Sequence, residues 1–394
     1  MDRVATLAQE AGVKPTPRIL FVTGEYPPRL GGVGDHVVRL AAALAARGSA
    51  CHVATESRSA NDPAAGVHAV GSRLPLQAVV DTLRGVRRVQ PDVVHLQYQA
   101  GAFARPGEML GLARLLPRLA GSSRLAVTFH DLQQPYLFPK AGRLREAMVH
   151  SLARGADTAI FVDEVDRRRA VAAGSGEANS HWIPAGPTIE PPANGGERGA
   201  ARAALDLESD AFIVGFVGFR QRSKGIQVLV DAMRRTELAG PGTRLILIGA
   251  AGPPTNTRRA EPPVPPSTFD GVRPVETGEL PPEAISQWLV ACDAIALPFL
   301  DGLSARRGSF MNAVAHGVPV VTTAPPAVGT VDVAADEVAL VSPGDAAGLA
   351  TALAGIRDDP ARRRQLAQGA RAIAARHTWT DIAQRTLAAY GCPA

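Results

Sequence analysis

The sequence predicts an α/β protein of two successive doubly wound units, each a Rossmann-like parallel sheet covered by helices. Three observations predict it. The chain has 394 residues, which at about 150 residues per domain allows two domains. Short apolar, β-rich runs alternate along it with longer Ala-, Leu- and Arg-rich segments, the pattern of βαβ units. Near residue 190 the alternation breaks in a proline- and glycine-rich run and then restarts.

Residues 18–23 (RILFVT) read as a buried strand, followed by a Gly/Pro turn. Residues 35–47 (DHVVRLAAALAAR) carry apolar residues at helical spacing and stop at Gly48, a suitable glycine beyond a helix end. Runs at 50–55, 93–97, 125–129 and 156–162 continue as strands with helical segments between and after them, and 181–184 adds a short one. Near-continuous apolar runs of this kind are what parallel strands buried on both faces require. Residues 185–200 (AGPTIEPPANGGERGA) have little to bury and read as the linker. Beyond it, 212–217 (FIVGFV), 244–248 (RLILI), 275–278, 294–298, 318–322 and 340–341 read as strands, and 224–235, 284–291 and 309–316 as helices. The stretch 251–274 holds seven prolines and forms no regular helix; it reads as a disordered insertion or as a lid over a site. Residues 379–390 (WTDIAQRTLAAY) close the chain as an amphipathic helix with Thr378 as its N-cap. The domain limits that follow are 1–187, 188–376 and a terminal helix within 377–394.

Composition narrows the function. Lys and Arg number 42 against 37 acids, a net charge of +5 that suits an anionic small ligand or a membrane surface. Nucleic acid is not expected, because the cations are scattered among acids and form no stripe with stacking aromatics. Cys51, Cys292 and Cys392 are far apart and odd in number, which offers neither a disulfide framework nor a metal site. The first residues carry no apolar run fit for a signal peptide, and no 18-residue apolar stretch occurs. A cytoplasmic enzyme without a transmembrane segment is the expectation.

Ligands of open parallel sheets collect beyond the carboxyl ends of the strands, so the strand-to-helix junctions carry the chemistry. After the first strand comes GEYPPRLGGVGDH, where Gly31, Gly32 and Gly34 open a helix and admit an anion to its positive end, or simply make a tight turn. The spacing is not that of a nicotinamide site. VTFHD ends a strand in His130, which faces a ligand or serves as a structural histidine, with Asp131 to orient it or cap the turn. GFRQRSKG places Arg220, Arg222 and Lys224 in one loop after 212–217, either a solvated surface or a clamp on a diphosphate leaving group. In LPFLDGLSARRGSFMNAVAHG, a strand end leads to Arg306 and Arg307, and the amides of Gly308, Ser309 and Phe310 form a second anion site; a solvated face is the bland alternative for the Arg pair.

Taken together, GEYPPRLGGVGDHVVRLAAALAARG, VTFHD, WIPAG, VGFRQRSKG, TGELPPEAISQWLVACDAIALPF and NAVAHGVPVV, in this order over residues 18–390, resemble the retaining glycosyltransferases of family 4. The resemblance implies the GT-B architecture, two Rossmann-like domains facing across a cleft with the last helix crossing back onto the first. It implies an acceptor-binding first domain and a second domain that binds a nucleoside diphosphate sugar, UDP favoured. No metal and no cofactor are implied; the donor is a substrate. Lys224 with Arg220 or Arg222 matches the basic pair at the diphosphate, and Gly32 and Val33 lie in the glycine loop near donor phosphates and sugar. His130 matches a histidine beside the transferred sugar. Donor contacts are further expected from Gly31, Gly34, Gly249, Arg307, Gly308, Ser309 and Phe310. The family's two glutamates, with seven residues between them, are replaced here by Ser304 and Asn312, which are expected at the donor sugar and the ribose. The acceptor, a sugar, polyol or natural-product intermediate, is expected against Glu25, Tyr26, His95, Gln97, Tyr98, His130, Asp131 and Gln133. A lipid-linked acceptor would instead call for an exposed basic-apolar helix, for which 113–119 (ARLLPRL) is a candidate that reads better as core-facing. The expected reaction is metal-independent hexosyl transfer with retention at the anomeric carbon. The rivals are an epimerase, hydrolase or pseudoglycosyltransferase on the same fold, and a non-catalytic sugar-nucleotide-binding subunit.

Overall fold

The structure, a computed structural model, describes residues 16–28, 31–55, 67–69, 77–99, 102–103, 123–132, 142–193, 196–240, 242–252, 263–327, 330–334 and 336–392. The chain divides into two compact units, Met1–Gly186 with Trp379–Ala394, and Pro187–Thr378.

Unit 1 runs β1 (Arg18–Thr23), α1 (Gly32–Ala46), β2 (Ala50–Thr55), β3 (Val67–Ala69), α2 (Gln77–Val89), β4 (Val93–Tyr98), β5 (Arg124–Phe129), α3 (Gly142–Gly155), β6 (Thr158–Phe161), α4 (Glu164–Ala172) and β7 (Ser180–Trp182). Its strands are parallel in the order β3-β2-β1-β4-β5-β6-β7. Successive side chains of a strand point to opposite faces, so each strand feeds two cores. Leu20, Val22, Val94, Leu96 and Tyr98 enter one, and Ile19, Phe21 and Val93 the other. The second core is closed by Val37, Leu40 and Leu44 of α1 and by Ile382, Ala383, Leu387 and Tyr390 around α11 (Trp379–Ala389). The terminal helix is thus part of the first unit's interior.

Unit 2 runs α5 (Arg198–Ala204), β8 (Phe212–Val217), a tight turn at Arg222–Lys224, α6 (Ile226–Met233), β9 (Thr243–Ile248), β10 (Val275–Glu276), α7 (Pro282–Ala291), β11 (Ala294–Leu297), α8 (Gly308–Ala315), β12 (Val320–Thr323), β13 (Ala339–Val341), α9 (Ala346–Asp358) and α10 (Pro360–Ala375). The sheet is parallel, in the order β10-β9-β8-β11-β12-β13. At its base Asp293 is buried and accepts from the guanidiniums of Arg202 (2.5 Å) and Arg198 (2.7 Å) and from the Ile213 amide (2.8 Å).

Two differences from expectation have local causes. The helix expected from 224 begins at Ile226, because Gly225 adopts a left-handed φ of 71° that ends the preceding turn. Helices α9 and α10 went unassigned although both carry start signals. Asp345 accepts from the Gly348 amide, and Asp359 accepts from Ala361 and Arg362 with Pro360 at the first turn. Of the proline-rich stretch, 253–262 lies outside the described residues, as does 113–119. The flanks of the former return to one residue: Arg220 donates its amide to Ala251 O (2.9 Å) and accepts from Val264 N (2.8 Å).

Candidate active site

In a doubly wound sheet the chain leaves in opposite directions on either side of the first strand, which opens a crevice at the strands' carboxyl ends. That switch point falls between β1 and β4 in unit 1 and between β8 and β11 in unit 2.

In unit 2 the loop after β8 packs directly across the switch point. A Cβ on Gly225 would collide with the Pro298 carbonyl at the end of β11, and Leu300 N donates to Ser223 O (3.1 Å). This fixes Lys224, whose ammonium stands 5.4 Å from the centroid of the Phe299 ring, while the Arg307 guanidinium stands 4.5 Å from the same centroid. An aromatic face offsets part of the cost of gathering two cations. Beside them, Gly218 and Gly249 take φ of 119° and 107°, values that L side chains rarely adopt. A Cβ on Gly218 would touch Ser309 at the start of α8, and one on Gly249 would touch Gly218. The bare backbone at the ends of β8 and β9 therefore meets the first turn of α8, which Arg307 immediately precedes.

Several expected donor contacts are otherwise engaged. Arg220 is nearly buried and pairs with Glu276 (Nη1 to Oε2 2.6 Å), so its charge is already matched, and Arg307 pairs with Asp301. Of the three amides expected at the start of α8, Gly308 N donates to Arg306 O and Phe310 N to Arg307 O, while the Phe310 side chain is core. Asn312 is not an open ribose ligand: its Oδ1 accepts from the amides of Thr188 (2.8 Å) and Ile189 (3.1 Å), and its Nδ2 donates to Thr188 Oγ1 (3.3 Å). Ser304 is buried, and its Oγ has no hydrogen-bond partner among the described residues. Arg222 is exposed on the turn.

In unit 1, Gly24 is forced by contact across the switch point, since a Cβ there would meet the Ala102 carbonyl. The glycine loop serves a purpose other than the expected one at two of its positions. A Cβ on Gly31 would strike the Glu25 carboxylate, and one on Gly34 the backbone of Glu25 and Tyr26; Gly32 alone faces open space. The chain's own carboxylate thus lies against the start of α1, where negative charge is favoured. Val33 is buried, and Tyr26 is half-buried with its phenol pushed up by burial. Beyond β5, His130 donates its amide to Tyr98 O (3.0 Å) and is hydrogen-bonded through Nε2 to Gln97 Oε1 (2.8 Å). Its ring meets His36 edge-on at 4.9 Å between centroids, and His36 meets Trp379 at 5.2 Å. Burial holds His36 down at about 4, and burial with His36 and His95 nearby holds His130 well below the usual histidine range. Both rings are therefore neutral hydrogen-bonding groups near pH 7.

Two expected acceptor contacts are core residues instead. His95 has no exposed surface, and both its ring nitrogens are bonded, Nε2 to Thr128 Oγ1 (2.7 Å) and Nδ1 to Tyr390 OH (2.6 Å). Tyr98 lies on the opposite face of β4, fully buried against Phe129. Alternation along the strand could have separated Tyr98 from Gln97 in advance. Asp131 is buried, and Gln133 lies outside the described residues. His36 was missed by sequence reasoning although it stands inside a quoted motif; one turn into α1, it has the position of an ordinary core residue.

The amino-terminal region, residues 31–186, matches the family described as glycosyl transferase 4-like domain, and residues 211–359 match glycosyl transferases group 1. The chain is 30% identical over 410 residues to a D-inositol 3-phosphate glycosyltransferase of Actinosynnema mirum, with 92% of each chain covered. Among solved structures it is similar to Anabaena HepE in complex with UDP-glucose (TM-score 0.69, 19% identity, covering 94% of this chain and 99% of that one). It is also similar to the sucrose-phosphate synthase of Thermosynechococcus elongatus (TM-score 0.69, 21% identity, 95% and 98%). The fold is that of the GT-B architecture, and the two family matches make the chain a glycosyltransferase. The chain belongs to the family 4 glycosyltransferases. No helix among the described residues is long and apolar enough to cross a membrane.

Proposed function

We propose that the enzyme moves a hexosyl group from a nucleoside diphosphate sugar, with UDP as the nucleotide, to a hydroxyl of a polyol, sugar or natural-product acceptor, with retention at the anomeric carbon. The observation that carries this reading is the bare backbone of Gly218 and Gly249 against Ser309 at the start of α8, together with Lys224 and Arg307 on Phe299. Separating a diphosphate from an oxocarbenium-like sugar builds negative charge on the leaving oxygen, and preorganised cations stabilise it as it forms. Lys224 is the principal cation of the clamp. Arg307, held by Asp301, and Arg220, held by Glu276, add orientation and a reduced net charge. The acceptor hydroxyl attacks the anomeric carbon on the leaving-group face and passes its proton to the departing phosphate oxygen, without a metal ion. His130, neutral and at a strand end, accepts a hydrogen bond from a substrate hydroxyl. The relatives named for an inositol phosphate favour a polyol acceptor, and the UDP-glucose complex of a similar structure favours a UDP-hexose.

Incubation with UDP-glucose in EDTA, with and without a panel of polyols and sugars, tests this. Release of UDP only with an acceptor, and an α-linked product by NMR, are expected. Because Ser304 and Asn312 stand where the family has glutamates, and Asn312 is committed to the backbone, a second reading keeps the donor site but changes the reaction. Acceptor-independent release of UDP would identify a hydrolase, and interconversion of the donor sugar an epimerase. Tight binding of UDP without turnover in any mixture would identify a non-catalytic subunit.

A further inference from the structure

His130 is held in place by two bonds from β4. The strand ladder pairs Tyr98 with Phe129, and the next bond, His130 N to Tyr98 O, sets its backbone. The ring is set by Gln97, which has no exposed surface and offers its Oε1 to His130 Nε2 at 2.8 Å. A carboxamide oxygen only accepts, so the shared proton resides on His130 Nε2. In a neutral imidazole one proton on Nε2 leaves a lone pair on Nδ1, and Nδ1 has no hydrogen-bond partner among the described residues. The amide nitrogen of Gln97 is itself buried with no partner among the described residues, a costly state for a polar group. Packing alone would be better served by an apolar residue. The bond to His130 is what this amide does in the fold.

We propose that Gln97 is a positioning residue that fixes His130 as its Nε2–H tautomer, so that the Nδ1 lone pair accepts a hydrogen bond from a substrate hydroxyl. The proposal rests on the reading that His130 touches substrate. The titratable groups that face the His130 ring are His36 from α1 and His95 from β4, both held neutral by burial; α11 presents Trp379, which does not titrate, to His36. With both neighbours uncharged, no charge competes with Gln97 for the choice of tautomer.

The test is nitrogen-15 NMR of the imidazoles of the full chain, with His130 identified by the signal lost in His130→Ala. Wild type is expected to show Nε2 protonated and Nδ1 bare. In Gln97→Leu the tautomer preference should be lost and kcat should fall about tenfold, the weight of one hydrogen bond. The KM for the nucleotide sugar should stay unchanged. Gln97→Glu keeps an acceptor at the same place, so it should restore the tautomer and most of kcat. It should also move the acidic limb of the pH–rate profile to higher pH, because a carboxylate favours the imidazolium. An Nδ1–H tautomer in wild type, or equal losses in the Leu and Glu variants with native thermal melts, would overturn the proposal. The wild-type spectrum decides even if neither variant folds. Full activity in His130→Ala would instead remove the role of His130 while leaving the tautomer result standing.

Discussion

Lys224 and the buried histidines of unit 1 show how differently single residues carry this molecule. Lys224 sits on a loop whose backbone is fixed from both sides, so its loss should remove charge without disturbing the fold. Lys224→Ala is expected to lower kcat at least tens-fold, in line with the loss of a preorganised charge, with circular dichroism and Tm unchanged. An unchanged kcat would take Lys224 out of the site. The histidines act on stability. His36 titrates at about 4 and His95 at about 3 in the fold, against about 6.5 in an unfolded chain. Below pH 6.5 the unfolded chain therefore binds more protons than the folded one. Their stabilisation is complete above pH 6.5 and is lost as pH falls through about 4 and then about 3. Each histidine should contribute a slope of up to about 1.4 kcal/mol per pH unit in that window. Urea midpoints between pH 7 and 4.5 check this: a steady fall is expected, shallower in His36→Phe, and a flat profile would contradict it.

At the scale of elements, junctions depend on a few contacts that no local pattern announces. Gly225 combines a positive φ with direct packing on the Pro298 carbonyl, so Gly225→Ala should displace the Lys224 turn from β11. Loss of turnover with modest loss of stability is expected, measured as kcat beside Tm; a variant with wild-type kcat would show that the turn tolerates the shift. Asp293 joins α5 and α10 to the base of β8 through three arginines. Removing a buried partner strands the others, so Asp293→Ala should cost about 3–5 kcal/mol in urea unfolding. The strands were legible in the sequence because strands buried on both faces must be continuously apolar. Helices α9 and α10 carried legible caps that were not read. What could not be read locally were the partners: Glu276 for Arg220 lies 56 residues away, Thr188 for Asn312 lies 124 away, and Tyr390 for His95 lies 295 away. For that reason the positions of candidate residues at strand ends were legible while their availability was not. His95, Tyr98 and Asn312 are engaged inside the fold, and only tertiary structure reveals it.

For the whole molecule, the family and fold followed from ordered junction motifs, each weak alone, because a doubly wound sheet confines chemistry to the same few strand ends wherever it occurs. The first unit is completed by a segment nearly 200 residues beyond its last strand: Thr158 donates to Ala389 O, Arg124 to Tyr390 O, and Ile382 and Leu387 fill the core under α1. A chain ending at Thr378 should therefore lose the cooperative unfolding of unit 1 and expose the surface of Ile19, Phe21 and Leu40, detected as dye binding and loss of its calorimetric transition. An unaltered melt would show that α11 is dispensable. The central proposal is that in unit 2 Lys224 and Arg307, both on the Phe299 ring, grip a diphosphate at the bare backbone of Gly218 and Gly249. Isothermal titration of UDP into wild type and Lys224→Ala, both in EDTA, measures it most directly. One-to-one binding by wild type, weakened at least about tenfold in the variant, is the expected result. Equal affinities, or no heat with wild type, would contradict it.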